Sequence, residues 1–451
     1  MNSATMPVSS RVAKPKADTV AAARSGWEMY RGVKNMLRCD EAEVVQGIAY
    51  YVISQHRGLR WLSILIERTR NTPVPGLVAI VGWLRSFLSV KSGNRHDGAI
   101  WIARLSNERH AIESILPSAQ DLQWRELKFV SLPDAEALRF LVRNLAPRRI
   151  FKLVRRLKRR YEFFKILRVV ELIGYYTRYL EIFQNGRITL AVTSNHSNPH
   201  GLAFNLAARK CGVPVVLITH GMPVRPVARL SYDLAVVHCE AARRIYEEEG
   251  CRMMRVLTHG RRQHYSPMPT TLPHRRLTVG IFLCKDVNEK TLHALVMQLL
   301  SLANVSLVRI RPHPKNLYVE LDEWVAAQND PRIGLSVGGS VFREIESVDV
   351  VLAGNSSVLI DAVTAGRPAG YIPELDHGPH DLHEFVQRGL IYPVEDESCA
   401  VRLNPDAMLR FYNEPGWLNV LRHFANFDED EAIIAERVVA NMRELIAESR
   451  K

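Results

Sequence analysis

The stretch Arg187–Gly221, RITLAVTSNHSNPHGLAFNLAARKCGVPVVLITHG, contains two short apolar, β-branched runs with a helical segment between them. Consecutive apolar positions of this kind read as strands buried on both faces of a sheet. LAFNLAARKCG reads as the intervening helix, with Gly212 as its C-cap. Strand, helix and strand at this spacing predict a parallel pair joined by a crossover.

Working outward, DLAVVHC (233–239) and the helical AARRIYEEEG continue the alternation downstream, while AIWIARL (99–105) and ELKFVSL (126–132) supply strands upstream. SPMPTTLPHRR (266–276) has three prolines and no apolar period, so it reads as a linker. A second series follows in LTVGIFLC, SLVRIRP, VDVVLAG and RPAGYIP, with helices between and a helical segment from Asn404 to Lys451. The expected fold class is α/β, two tandem Rossmann-like domains with a helical N-terminal extension. The expected divisions are a disordered leader (1–26), the extension (27–95), a first Rossmann-like domain (96–265), the linker (266–276) and a second Rossmann-like domain with C-terminal helices (277–451). LVAIVGWL (77–84) is closed by Arg85 and Lys91, well short of the roughly 18 residues that cross a bilayer.

The chain has 451 residues, 47% of them hydrophobic and 24% charged, which is a globular balance. Its six cysteines form no CxxC pair, which argues against a disulfide framework or a zinc site. Of the net charge of +13, +10 lies between Arg143 and Arg168, where eleven basic residues accompany the single acid Glu162. Pro147 suits the first turn of a helix over 147–168. Its apolar stripe would be Ile150, Leu153, Val154, Leu157, Tyr161 and Phe164, flanked by Arg148, Lys152, Arg155, Arg156 and Arg159. Such a helix suits an anionic membrane surface. Nucleic acid is the second reading, since a basic patch does not discriminate between the two.

Four polar clusters stand at predicted strand ends, where open parallel sheets bind ligands. His220 in THGMP could be a base or an anion ligand. Arg311 and His313 in RIRPHPK are suited to gripping a phosphate. Gly354, Asn355, Ser356 and Ser357 lead into a helix, an arrangement that offers N–H groups to phosphate or simply caps the helix. SNHSNPH gathers His196 and His200 with two asparagines. No Walker A lysine motif is present, and no GxGxxG follows a first strand.

THGMP, then RPHP, then GNSSVLIDAVTAGRP resembles the GT-B transferases of bacterial surface glycans. These include capsule and lipopolysaccharide glycosyltransferases, the polysialyltransferase-like group and the CDP-glycerol glycerophosphotransferases. The likeness runs from about Ile188 to Pro373, and it departs at His238-Cys239-Glu240 and at THGRRQ (258–263). The resemblance implies a nucleotide-sugar donor held by Arg311, His313 and the Gly354–Ser357 turn. It also implies a catalytic base, His220 first and His196 second, and no metal or other cofactor. The acceptor would be a surface polysaccharide or lipid-linked glycan at the cytoplasmic face of the inner membrane, with no nucleic-acid partner. Transfer of a polyol phosphate from a CDP donor and a UDP-N-acetylglucosamine 2-epimerase-like activity are the alternatives on the same scaffold. A basic nucleic-acid-binding or scaffold protein is the non-enzymatic one.

Overall fold

Two sheets of six strands, parallel at every pairing, carry the chain. A computed structural model describes residues 72–90, 97–128 and 163–449, apart from 226, 260–264, 273–275, 315–317, 337, 395, 398–399, 402 and 428, together with 151 and 154–155. The expected leader, most of the N-terminal extension, and Arg148, Lys152, Arg156 and Arg159 of the basic segment lie outside these residues.

The first sheet comprises β1 (Asp97–Ile102), β2 (Arg125–Glu126), β3 (Arg187–Thr193), β4 (Val215–Ile218), β5 (Ser231–Val237) and β6 (Arg252–Thr258), in the order β2-β1-β3-β4-β5-β6. The second comprises β7 (Leu277–Phe282), β8 (Val305–Arg311), β9 (Ile333–Leu335), β10 (Val350–Ala353), β11 (Ala369–Tyr371) and β12 (Tyr392–Pro393), in the order β12-β11-β10-β7-β8-β9. Helices connect them: α1 (Val74–Leu88), α2 (Ser106–Glu113), α3 (Phe163–Asn185), α4 (Pro199–Lys210), α5 (Glu240–Glu248) and α6 (Glu289–Ser301). The later ones are α7 (Leu321–Gln328), α8 (Val341–Glu346), α9 (Val358–Thr364), α10 (Pro405–Tyr412), α11 (Trp417–Phe424) and α12 (Glu431–Glu448). The tandem doubly wound architecture is the one the apolar runs predict. Helix α4 ends where expected, with Cys211 as C-cap and Gly212 at φ +70°.

Each sheet reverses its winding once, between β1 and β3 in the first and between β7 and β10 in the second. A crevice opens at such a reversal beside the carboxyl ends of the strands.

Side chains alternate across a strand, and both faces of the first sheet are covered. Ile100, Ile102, Ala191, Val215, Leu217, Ala235 and Val237 join a core with α3 and α4. Their neighbours Trp101, Leu190, Val192, Val216, Leu234 and Val236 face the other way, onto Ile434, Val438, Val439 and Met442 of α12. The chain therefore returns from the second sheet to cover the first. Arg255 reaches Glu444 and Glu448 at 2.8 and 2.7 Å across this seam.

Helix α1 lies against α3, and two glycines allow the approach. A Cβ on Gly174 would stand 2.7 Å from the Trp83 carbonyl oxygen, and one on Gly82 would stand 2.6 Å from the Leu167 side chain. Trp83 stacks with Phe87 at 5.8 Å, and the buried Arg178 guanidinium lies 5.4 Å from the Phe87 ring centre. Arg178 donates to the Val90 carbonyl (3.1 Å) and pairs with Glu181, so its charge is compensated. Of the expected basic helix, Val154 is buried and Arg155 exposed, and from Phe163 the chain continues as helix to Asn185.

Gly174→Ala should destabilise the fold by about 1–3 kcal/mol through overpacking against the α1 backbone, read as a lower midpoint in a denaturant melt.

Candidate active site

Parallel pairing sends every strand's carboxyl end to one edge of its sheet. On the first sheet, the loop after β3 is fixed by Asn195. Its Oδ1 accepts the backbone N–H groups of Ser197 (3.1 Å) and Asn198 (2.7 Å) at the start of α4, and its Nδ2 donates to Glu108 (2.6 Å). Gly201 lets α4 approach, since a Cβ there would meet the Asn195 carbonyl at 2.5 Å.

His220 follows β4. Its Nδ1 lies 3.0 Å from the Ser194 carbonyl oxygen and 3.0 Å from Ser194 Oγ. A carbonyl oxygen can only accept, so the bond to Ser194 O calls for the hydrogen on Nδ1, and the neutral ring in that tautomer has its lone pair on Nε2. The half-buried ring thus presents a basic nitrogen. His196 is arranged differently. Its Nδ1 pairs with the Tyr246 hydroxyl at 2.9 Å, and burial, with help from nearby His220, pushes its pKa down to about 3. His200 is fully buried, and burial holds it below the usual histidine value against the pull of Glu108, 4.0 Å away. Burial pushes the Glu108 carboxyl up, but hydrogen bonds from the Arg104 amide, Asn195 and the Leu105 amide, with the field of His200, leave it below the usual range.

On the second sheet, Gly354–Ser357 follows β10. Asn355 is clasped to Asp376: its backbone N–H donates to Oδ2 (2.7 Å) and its Nδ2 to Oδ1 (2.9 Å). Its Oδ1 accepts the Leu382 N–H at 2.7 Å. A Cβ on Gly354 would stand 2.2 Å from Asp376 Oδ2, so only glycine fits this clasp. Ser356 Oγ accepts the Val358 N–H (3.3 Å) and caps α9, while Ser357 makes no side-chain cap bond. Cys284, after β7, is pushed up to about 12 by burial and by Asp376.

Arg311, at the end of β8, donates to Ser336 Oγ (3.3 Å) and to the carbonyls of Gly338 (3.2 Å) and Gly339 (2.8 Å), bracing the loop after β9. His313 is half-buried just beyond it, and Lys315 lies outside the described residues.

The two edges meet where Arg225, after the His220 turn, bridges to Glu249 (2.9 Å) and Glu248 in its own half and to Glu384 (3.2 Å) in the loop after β11. In that loop Glu374, Asp381 and Glu384 all hold positive φ, a strained run tied down by Asn355 and by the Tyr371 hydroxyl. Residues that sequence reasoning missed here are Glu108, Tyr246, Asp376 and Arg225. The polar run DHGPHDLHE after RPAGYIP was a visible strand-end signal, whereas nothing in SNERHAIE sets Glu108 apart from a surface acid. A cavity of about 630 Å³ lies instead at the amino end of β7, lined by Thr270, Leu277, Asn304 and Arg410 among others. Parallel sheets place their ligands at the opposite edge. Among the described residues, no group of three or more His, Cys, Asp or Glu side chains could hold a metal ion.

No family model and no curated protein matches the chain. Solved structures similar to it include an S. aureus MnaA–UDP co-structure, at 12% identity over 77% of this chain and 96% of that one, TM-score 0.45. MurG of Acinetobacter baumannii is similar at 11% identity over 77% and 99%, TM-score 0.41. The wall teichoic acid polymerase TagF with CDPG is similar at 11% over 88% and 100%, TM-score 0.44.

The lowered histidines make stability pH-dependent. Between the ordinary value of 6.5 and their folded values, His196 and His200 bind protons in the unfolded chain but not in the folded one. Stability should therefore fall as pH drops below about 6.5, and Glu108 adds a further loss below its ordinary 4.5. Denaturant melts at stepped pH check this, and His200→Asn should flatten the slope.

Proposed function

We propose that the chain is a GT-B-type glycosyltransferase using a nucleotide-activated sugar. The observation that carries this reading is the placing of His220: Nδ1 is 3.0 Å from the Ser194 carbonyl oxygen, which directs Nε2 away from that bond, on the strand edge that Arg225 links to the second sheet. In the proposed step, Nε2 takes the proton of an acceptor hydroxyl as its oxygen bonds to the sugar carbon. The bond from that carbon to the phosphate oxygen breaks, its electron pair leaving with the nucleotide. His313, Arg311 and the Gly354–Ser357 turn would neutralise the departing charge. His196, held near 3, is too weak a base to share the task at neutral pH. The acceptor we favour is a bacterial surface polysaccharide or lipid-linked glycan.

Thermal stabilisation across CMP, CDP, UDP and GDP tests the donor site. A ligand at about 100 times its Kd adds about 2.7 kcal/mol, and no shift with any of them would sink the reading. With the donor identified, His220→Ala should lower kcat by about 10²- to 10⁴-fold. Consumption of CDP-glycerol in place of nucleotide sugars would move the assignment to polyol-phosphate transfer.

We further propose that the enzyme works on an anionic inner-membrane surface from the cytoplasmic side. Among the described residues no helix is long and apolar enough to cross a membrane. The docking reading is supported by the outward face of α1, where Val74, Leu77 and Val81 are exposed at helical spacing. A Cβ on Gly76 would meet the Phe151 ring at 2.5 Å, so the beginning of the basic segment packs beside this face. Each basic residue near an anionic surface contributes about 1 kcal/mol. The protein should sediment with phosphatidylglycerol-containing vesicles and not with pure phosphatidylcholine. Reversing Arg148, Lys152, Arg155, Arg156 and Arg159 to glutamate should abolish that binding.

A further inference from the structure

Glu108 has no exposed surface and stands on α2, 87 residues from the asparagine it holds. Its two oxygens face donors on both sides. Oε2 accepts the N–H groups of Arg104 (2.7 Å) and Leu105 (3.2 Å), and Oε1 accepts Asn195 Nδ2 (2.6 Å). Asn195 in turn spends its Oδ1 on the start of α4, so its amide has one orientation. The peptide unit between Ser194 and Asn195 is then fixed at both ends. Its N–H donates to Thr193 Oγ1 (3.1 Å), and its carbonyl receives His220 Nδ1 (3.0 Å).

We propose that Glu108 is a positioning residue: through Asn195 it sets the peptide whose carbonyl selects the tautomer and aim of His220. This rests on His220 being the base. The chemistry demands acceptors on both faces of the Glu108 head group. An amide of the same shape must turn its NH₂ either on Asn195 Nδ2 or on the two backbone N–H groups, donor against donor. The mismatch is cured by inverting both partners. With Glu108→Gln and Asn195→Asp together, the new amide donates to the new carboxylate. The carboxylate's second oxygen still accepts from Ser197 and Asn198.

The groups facing Glu108 from neighbouring elements are the Arg104 and Leu105 amides, Asn195 and His200, the last at 4.0 Å. His200 is neutral at working pH because burial depresses it. Hydrogen bonds from the Arg104 amide and Asn195 stand ahead of His200 among the groups that stabilise the carboxylate, which makes the double inversion a fair exchange.

Nitrogen NMR of histidine-labelled protein reads the tautomer of His220 directly, its signal assigned with His220→Gln. Wild type should show Nδ1–H. Glu108→Gln should show a tautomer mixture and a kcat lowered about tenfold or more, with KM within about twofold. The double variant should restore the tautomer and bring kcat to within about threefold of wild type. A wild-type tautomer and kcat in Glu108→Gln would overturn the inference, as would a double variant no better than the single one. Should Glu108→Gln alone fail to fold, the double variant decides: anything other than Nδ1–H there overturns the inference. The tautomer needs no turnover to be read. A chain inactive toward every nucleotide donor would therefore overturn the transferase reading and leave the tautomer result to stand by itself.

Discussion

Parallel pairing is the constraint from which the rest of the molecule follows. With the twelve strands of the two large sheets running the same way within each sheet, the polar loops collect on one edge of each. The reversals between β1 and β3 and between β7 and β10 open crevices on those edges. Helix α2, which follows β1, carries Glu108, and the loop after β3 carries Ser194–Asn198; the loops bordering the second reversal carry Cys284 and Gly354–Ser357. The clasp of Asn355 on Asp376 and the hold of Glu108 on Asn195 are alike in design. Each buries a carboxylate oxygen against a strand-end asparagine and uses a glycine to make room, Gly354 in one case and Gly201 in the other.

The two halves are specialised by what their polar groups are left to do. In the first, the Ser194 carbonyl and hydroxyl both meet Nδ1 of His220, while burial lowers His196 and His200. In the second, Arg311 is spent on steadying the loop beyond β9, and Asn355 on its clasp with Asp376.

Much of this fold was readable because strands buried on both faces must be continuously apolar. ITLAV, VVLI, LAVV and VVLA are all of that kind. Three of the four edge strands escaped for the converse reason, and the fourth, β2, was expected over 126–132 but spans only Arg125–Glu126. β6 opens with Arg252 and Arg255 around two methionines and is half exposed, and β9 and β12 are only three and two residues long. At the site, His220 and the Gly354–Ser357 turn were legible because they stand immediately after apolar runs. Glu108 was not, since its meaning comes from a contact 87 residues away that no local pattern encodes. The clasp on Asp376 was hidden likewise: an acid in a loop looks the same whether it meets water or an asparagine amide.

Helix α12 has a consequence for how the molecule is made. Ile434, Val438, Val439 and Met442 seal one face of a sheet whose strands all lie before residue 260. During synthesis from the ribosome, that face of Trp101, Leu190, Val216 and Val236 stays without its native cover until some 170 further residues have emerged. The first half therefore cannot complete its core as a unit of its own. The exposed apolar surface in the interval is the kind that chaperones bind. The two halves are one folding problem, although each contains a complete sheet.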